Sequence, residues 1–575
     1  MHSVHLTYYL IFLLIVNINA QTKKTDFKYD IQFEVSNGEE TSTYEDVINF
    51  YKSIAEYSDI IEISEVGITD AGLPLHLVSY IPNKDSNNIN LLINNGIHPG
   101  ESDGIDASML LLKDIVNARF RIPKNVNLYI IPTYNIGGML NRNSTSRANQ
   151  NGPKAYGFRG NARNFDLNRD FIKMDTKNME AFAQIYHSID PDIYVETHVS
   201  NGADYQYTLT HLLTQHNRLG YDLGKYLEKT FRPKLESELN KKNLIITPYV
   251  NVFGRTPDKG FSQFMDYPRY STGYTSLWNT LGLMIETHML KSYKNRVLQT
   301  KVMLETIIEM SSKDAKTIKT TRKTNTKQFL EDDYYKYNYK VDSTNASQLN
   351  FKGFEGEISK SKVTGKPRLQ YNQNKAFTKP IPYYNNFKAT DSVKIPDYYT
   401  LKSGWKNILE KLEINNIQYT TLQKDTIIKI EKYSISDFKT YNSPYEGHYP
   451  HYNTKVHTFT AELELKAGDY LIPVKQQGIK YLLETLEPML NDSFFNWNFF
   501  DTILQQKEGF SSYVFEDYAY AFLKENPEIN AEFLSKKASD SDFAASDRAQ
   551  LNWIYKKSPL YEEAHLNYPV YRVFN

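Results

Sequence analysis

The sequence contains no cysteine among its 575 residues. That absence excludes disulfides, thiolate-bound zinc, iron–sulfur clusters and cysteine nucleophiles together. An excess of either charge is also missing, since 67 Lys and Arg face 67 Asp and Glu, so the charge total offers nothing to a nucleic-acid backbone. Long apolar stretches are scarce. The one such run, residues 6–16 (LTYYLIFLLIV), is too short to span a bilayer comfortably. It is followed by Asn17-Ile18-Asn19-Ala20 and then polar Gln21. This reads as a signal peptide over residues 1–20, so export to the periplasm or the medium is expected, with no membrane association beyond that segment. A lipid anchor is excluded because no cysteine follows the run. Neither a phosphate-cradling G-x-x-x-x-G-K-[ST] loop nor a convincing dinucleotide fingerprint is present. H-E-x-x-H and G-x-S-x-G are missing too, which removes the commonest metallo-endopeptidase helix and the serine-hydrolase elbow.

What remains is a chain with 40% hydrophobic and 23% charged residues, enough apolar content to build large cores without covalent staples. From about residue 43 to 310, short apolar runs alternate with helical spacing. Residues 44–57 place Val47, Ile48, Tyr51 and Ile54 on one helical face, and residues 61–66, 75–81, 89–94, 126–131, 192–195 and 281–285 read as strands. Helical patterns at 102–116 and 179–189 fall between them. The expected fold is therefore α/β, with a mixed, mostly parallel central sheet flanked by helices. Residues 311–335, rich in Ser, Lys and Thr, are expected to form a solvated linker or helix end. Residues 336–575 are expected to be a β-rich accessory region with a helical C-terminal part, because period-2 stretches such as residues 458–465 precede helical patterns at 480–489 and 547–556.

Chemistry concentrates where the expected strands end. Residues 96–101 (GIHPGE) follow the run 89–94, so His98 and Glu101 can share one cation at a strand-to-helix turn. Tyr194-Val195-Glu196-Thr197-His198 puts a second histidine just past another strand. Residues 165–171 (FDLNRDF) offer a carboxylate, an amide and a guanidinium together, and residues 283–286 (LMIE) end a third strand in a carboxylate. Two His and one Glu around zinc leave a fourth position for water, which is the catalytic arrangement. A carboxylate such as Glu286 then takes that water's proton. Glu286-Thr287-His288 repeats Glu196-Thr197-His198, which makes His288 a rival ligand. The cluster Gly447-His448-Tyr449-Pro450-His451 reads as an aromatic loop rather than a second metal site.

Taken in order, H-P-G-E, D-L-N-R-D-F and two strands ending in E-T-H resemble the zinc carboxypeptidase family over about residues 40–310. The resemblance implies one zinc per chain held by His98, Glu101 and His198, with Glu286 as general base and proton shuttle. It implies that Asn168 and Arg169 grip a substrate's C-terminal carboxylate, that Asp166 orients His98, and that Arg159 polarises the scissile carbonyl. Arg147 and Arg163 are alternatives to Arg159. Tyr270, with Tyr274 as alternative, would cap the substrate. The implied substrate is a peptide, or peptide-like molecule, with a free C-terminal carboxylate. A related metal amidase acting on acyl-amino acids or peptidoglycan stem peptides shares the zinc residues and is the alternative enzyme. A non-catalytic exported binding protein is the alternative of another class.

Overall fold

The computed structural model describes residues 26–574; the expected signal peptide lies outside them. Nine strands carry the first half: β1 (Ile61–Ile68), β2 (Pro74–Tyr80), β3 (Ile89–Asn94), β4 (Val126–Ile131), β5 (Ile193–Ser200), β6 (Leu209–Leu213), β7 (Ile246–Pro248), β8 (Phe261–Ser262) and β9 (Leu281–His288). All but β8 form one sheet in the order β1-β2-β4-β3-β5-β9-β6-β7. Its centre, β4-β3-β5-β9, is parallel, and its flanks bring in antiparallel pairs. β5 and β9 are buried at every position, which is why both open with continuous apolar stretches rather than alternating ones.

Helices cover both faces. The helix Tyr44–Tyr57 starts at a capping box in which Thr43 and Asp46 exchange side-chain and backbone hydrogen bonds. The helix Asp103–Val116 crosses from β3 to β4, and Lys177–Ile189 leads into β5. The chain leaves β3 toward β4 on one side and returns as β5 on the other, so a topological switch point opens at their carboxyl ends.

Residues 311–331, expected as part of a linker, are instead the second half of a 39-residue helix, Tyr293–Glu331. Their Lys and Thr residues face solvent, but Ala315, Ile318, Arg322 and Asn325 are buried against the sheet's helical layer. Arg322 pairs there with Asp190 and Asp192 at 2.8 and 2.6 Å. A sparse apolar stripe on a charged helix is easily read as no structure at all.

The second half is β-rich with helices. Ser347–Lys360 and Pro367–Tyr384 form a long hairpin whose end adds in parallel to β8. A six-stranded sheet includes the hairpin Thr426–Thr440/His451–Leu465. The helices Ser512–Glu525, Pro527–Ser539 and Asp547–Lys557 surround their own small core of Phe515, Phe533, Phe543 and Leu551. One hydrophobic cluster runs through both halves: Leu92, Tyr274 and Trp278 share it with Tyr399, Tyr481, Phe494 and Tyr568. Among the described residues, no helix is long and apolar enough to cross a membrane.

Candidate metal centre

Three strand ends at the switch point build the site. After β3 the chain turns through Asn95 and Gly96 to present His98, and the Glu101 amide closes the turn on the His98 carbonyl at 2.8 Å. β5 supplies His198. β9 lies parallel to β5 with Glu286 directly opposite His198, so both side chains project to the same face of the sheet. The packing beneath is tight: a Cβ on Gly104, in the first turn of the Asp103–Val116 helix, would lie 2.0 Å from Thr197 Oγ1 on the opposite face.

His98, Glu101 and His198 converge and are buried. His98 Nδ1 lies 3.1 Å from His198 Nδ1 and 3.3 Å from Glu101 Oε2, and His198 Nδ1 lies 2.9 Å from the same oxygen. For ligand bonds of about 2.0–2.1 Å, the edge of a tetrahedron is about 3.3–3.4 Å. The three donor atoms therefore already sit close to the spacing of three corners of a zinc polyhedron. Their hydrogen-bond partners point the right way for it. His98 Nε2 faces Asp166 Oδ1 at 2.9 Å, which leaves the Nδ1 lone pair of the neutral ring aimed at the cluster. His198 Nε2 has Glu196 Oε2 and Asn168 Nδ2 each at 3.5 Å.

Charge tells the same story. Burial opposes ionisation of Glu101, but Arg147, 2.7 Å from its Oε1, and the two histidines hold its carboxyl well below the usual carboxylate range. Burial also opposes a charged His198, yet Glu196 and Glu101 outweigh it and push its pKa up to about 10. Burial pushes Glu286 up to about 8, with Glu101 and Glu196 adding to the effect and His198 opposing it. Among the described residues, Glu286 Oε2 and Glu196 Oε1 are buried with no hydrogen-bond partner. Without a metal both shifts favour the protonated side chains, and a divalent cation bound here would displace protons. Donor spacing, donor chemistry and charge all fit zinc.

A cavity of about 600 Å³ opens over the cluster, and its lining brings together most of the residues singled out from the sequence. Glu286, Asn168, Arg169 and Tyr270 line it with the three cluster residues. Asn168 Oδ1 accepts from the Ser271 amide at 3.3 Å. The Arg169 guanidinium donates to the Asn168 carbonyl at 2.8 Å and stacks on the Tyr270 ring, 4.6 Å from its centroid. Of the two tyrosines, Tyr274 is fully buried in the core, with its hydroxyl donating to Asn415 at 2.6 Å. Arg159 lines the cavity but is paired to Asp166 at 2.9 Å. Arg147 also lines it, whereas Arg163 reaches away to the Asp175 carbonyl at 3.1 Å. His288 does not join the cluster; its Nε2 meets the Ala203 carbonyl at 3.2 Å and Asp204 at 3.6 Å. His448 pairs with Asp175 at 2.7 Å and His451 with Asp501 at 3.0 Å, so the second histidine group is dispersed in ion pairs.

Other residues escaped the sequence reading. Tyr249 lines the cavity, and Glu196 stands behind His198 with the Ser271 hydroxyl donating to it. Glu446, from the far half, accepts the Asp166 amide at 2.8 Å. The Glu196 signal was present, since a carboxylate two residues before a ligand on a buried strand shares its face.

With this geometry in hand, residues 47–206 match the family model described as zinc carboxypeptidase. The matched span takes in His98, Glu101, Asp166, Asn168, Arg169 and His198 and stops before Tyr270 and Glu286. Similar curated proteins include Carboxypeptidase 2 of Trichophyton equinum, 21% identical over 440 residues, covering 72% of this chain and 75% of that protein. Carboxypeptidase 2 of Trichophyton rubrum is 20% identical over 443 residues, with 72% and 75% covered. Among solved structures, a metallo-carboxypeptidase from Burkholderia cenocepacia shares 16% identity at a TM-score of 0.37, covering 47% of this chain and 70% of that one.

Proposed function

From the premise that residues 47–206 carry a zinc carboxypeptidase-type hydrolase domain, we propose that this protein is an exported zinc metallocarboxypeptidase that removes the C-terminal residue of a peptide. The observation that carries the reading is the convergence of His98, Glu101 and His198 in the wall of a cavity that also holds Glu286 and Arg169. His98 and His198 through Nδ1, and Glu101 through Oε2, are the groups that would hold one zinc ion. When bound, zinc supplies Lewis acidity to a water molecule and to the scissile carbonyl.

The chain's own residues do the rest. Arg169 and Asn168 take the substrate's free carboxylate, for which a planar guanidinium fork is suited. Tyr270, stacked on Arg169, closes over the bound end. Glu286 accepts the proton of the attacking water and delivers it to the departing amine nitrogen as the C–N bond breaks and the new C–O bond forms. Arg159 steadies the charge that develops on the carbonyl oxygen, and Arg147, tied to Glu101, is the neighbouring group able to share that task. Asp166 fixes the His98 ring.

The test is to incubate the zinc-loaded protein with one peptide in two forms, free acid and C-terminal amide, and identify the products by mass. Release of the last residue from the free acid alone is expected. Cleavage of both forms alike, or of muropeptides and acyl-amino acids in preference, would overturn the assignment. Export is checked separately: the N-terminus of the mature protein should begin at or near Gln21.

A further inference from the structure

The turn at residues 445–448 joins the strands Thr426–Thr440 and His451–Leu465 in the second half of the chain, and its tip rests on the loop that carries Asp166, Asn168 and Arg169. Exposure along the tip is selective: Ser443, Pro444, Gly447 and Tyr449 are exposed, while Tyr445, Glu446 and His448 are partly covered. Each covered residue contacts the first half. The Tyr445 ring lies 5.9 Å from the Arg269 guanidinium. Glu446 Oε2 accepts the Asp166 amide at 2.8 Å, and His448 Nε2 lies 2.7 Å from Asp175 Oδ2. The Tyr445 ring is stacked with Trp497 at 6.1 Å between centroids, and Trp497 in turn lies 5.0 Å from the Arg269 guanidinium.

The backbone at this tip is unusual in a way that singles out Glu446. Both central residues have positive φ, 49° at Glu446 and 80° at Gly447. A tight turn of that hand is ordinarily filled by Asn or Gly, because a larger side chain is disfavoured there. Gly447 meets the requirement, and a Cβ in its place would approach the Phe165 ring at 3.1 Å. Glu446 does not meet it. What Glu contributes that Gly would not is the carboxylate on the Asp166 amide, so the strained position is held by a contact to the other half of the chain.

We infer that Glu446 is a positioning residue for the subsite that takes the substrate's carboxylate, acting through Asp166, whose side chain accepts the Asn168 amide at 3.0 Å just before Arg169. This rests on the reading of Arg169 given under the proposed function. A free arginine side chain explores many rotamers, and ordering it on binding weakens affinity. Here the Asn168 carbonyl and the Tyr270 ring hold the fork from two sides. Glu446 fixes the backbone of Asp166, the residue that aligns His98. The second half of the chain thereby supplies part of the scaffold for the binding cavity.

The test uses the full-length zinc-loaded chain and an N-acyl dipeptide with a free carboxylate. Steady-state kinetics are measured together with calorimetric binding of the same dipeptide in a Glu286→Gln background. Glu446→Ala should weaken binding, KM and Kd alike, roughly 5–10-fold with kcat within about twofold, as expected for one lost hydrogen bond. Glu446→Gln should restore it, because the amide oxygen still accepts the Asp166 N–H. Unchanged KM and Kd in Glu446→Ala, with the wild type active, would overturn the inference and leave the carboxypeptidase reading standing. Failure of Gln to restore what Ala loses overturns the role given to Glu446. If the wild type neither binds nor cleaves the dipeptide, the carboxypeptidase reading falls and takes this inference with it. Should Glu446→Ala not fold, Glu446→Gly, which suits the positive φ and likewise lacks the carboxylate, decides.

Discussion

The tripeptide Glu-Thr-His occurs twice at the ends of neighbouring parallel strands, as residues 196–198 and 286–288, and the two copies do different things. The pairing register places His198 opposite Glu286, so the copies are offset by two residues along the sheet. At the level of the cavity the first strand therefore contributes its histidine and the second its glutamate. Glu196, one step deeper, meets the Ser271 hydroxyl; His288, one step farther out, meets Ala203 and Asp204. The threonines point to the other face, where Thr197 donates to Asn95 at 3.1 Å and Thr287 donates to Asp103. Identical residues acquire their chemistry from register, because a two-residue shift keeps the face and changes the depth.

The sharpest way to break this comparison is to exchange roles. Glu286→Gln should lower kcat by ~10³-fold while zinc stays at one per chain, whereas His198→Ala should lose both zinc and turnover. Metal analysis beside kinetics separates the two, and loss of zinc from Glu286→Gln would show that the second copy also holds the metal. A second effect concerns protons. With His198 raised to about 10 and Glu286 to about 8 in the metal-free chain, zinc uptake at pH 7 should release about two protons. Calorimetry in buffers of different ionisation enthalpy counts them. Glu286→Gln should release about one fewer, and an unchanged count would remove Glu286 from the account.

The opposite face gives a third effect. Gly104→Ala should destabilise the fold by ~2–3 kcal/mol, since the new Cβ would fall 2.0 Å from Thr197 Oγ1. Denaturant melts report it, and truncating Thr197 to Ala in the same chain should recover part of the loss. The smallest effect belongs to His288. Burial lowers its pKa to about 4, against the nearby Asp204, while an unfolded histidine titrates near ~6.5. Its contribution to stability is therefore present above about pH 6.5 and lost as the pH falls toward 4. His288→Gln should keep zinc and nearly all activity and flatten that part of the acid-side decline. Zinc loss in this variant would restore the rival ligand.

How much of this was legible in the sequence follows from where the information sits. Six of the sheet's eight strands, and the cluster of His98, Glu101 and His198, could be read because His98 and Glu101 lie soon after one apolar run and His198 just past another, so short-range pattern and long-range position coincide. Tyr270 and Tyr274 could not be separated by pattern: they lie one helical turn apart, and only packing sends one to the cavity and the other to Asn415. The pairing of Arg147 with Glu101 and of Glu446 with Asp166 crosses 46 and 280 residues of chain with no periodic signal to announce it. The helical stretch 311–331 escaped because its buried positions include Arg322 and Asn325, whose guanidinium and amide N–H groups donate to tertiary partners. The long strands of the second half, exposed over much of both faces, offered little alternation to read.

The hydrophobic cluster common to both halves sets a schedule for the newly made chain. Tyr274 and Trp278 belong to the same cluster as Tyr568 and Val570. At ~5–20 residues per second a ribosome needs on the order of half a minute to travel from one pair to the other. Throughout that interval the cluster lacks its later members, and a chain interrupted midway leaves apolar surface bare. The shared core is thus completed late in synthesis, when residues 568–570 join it.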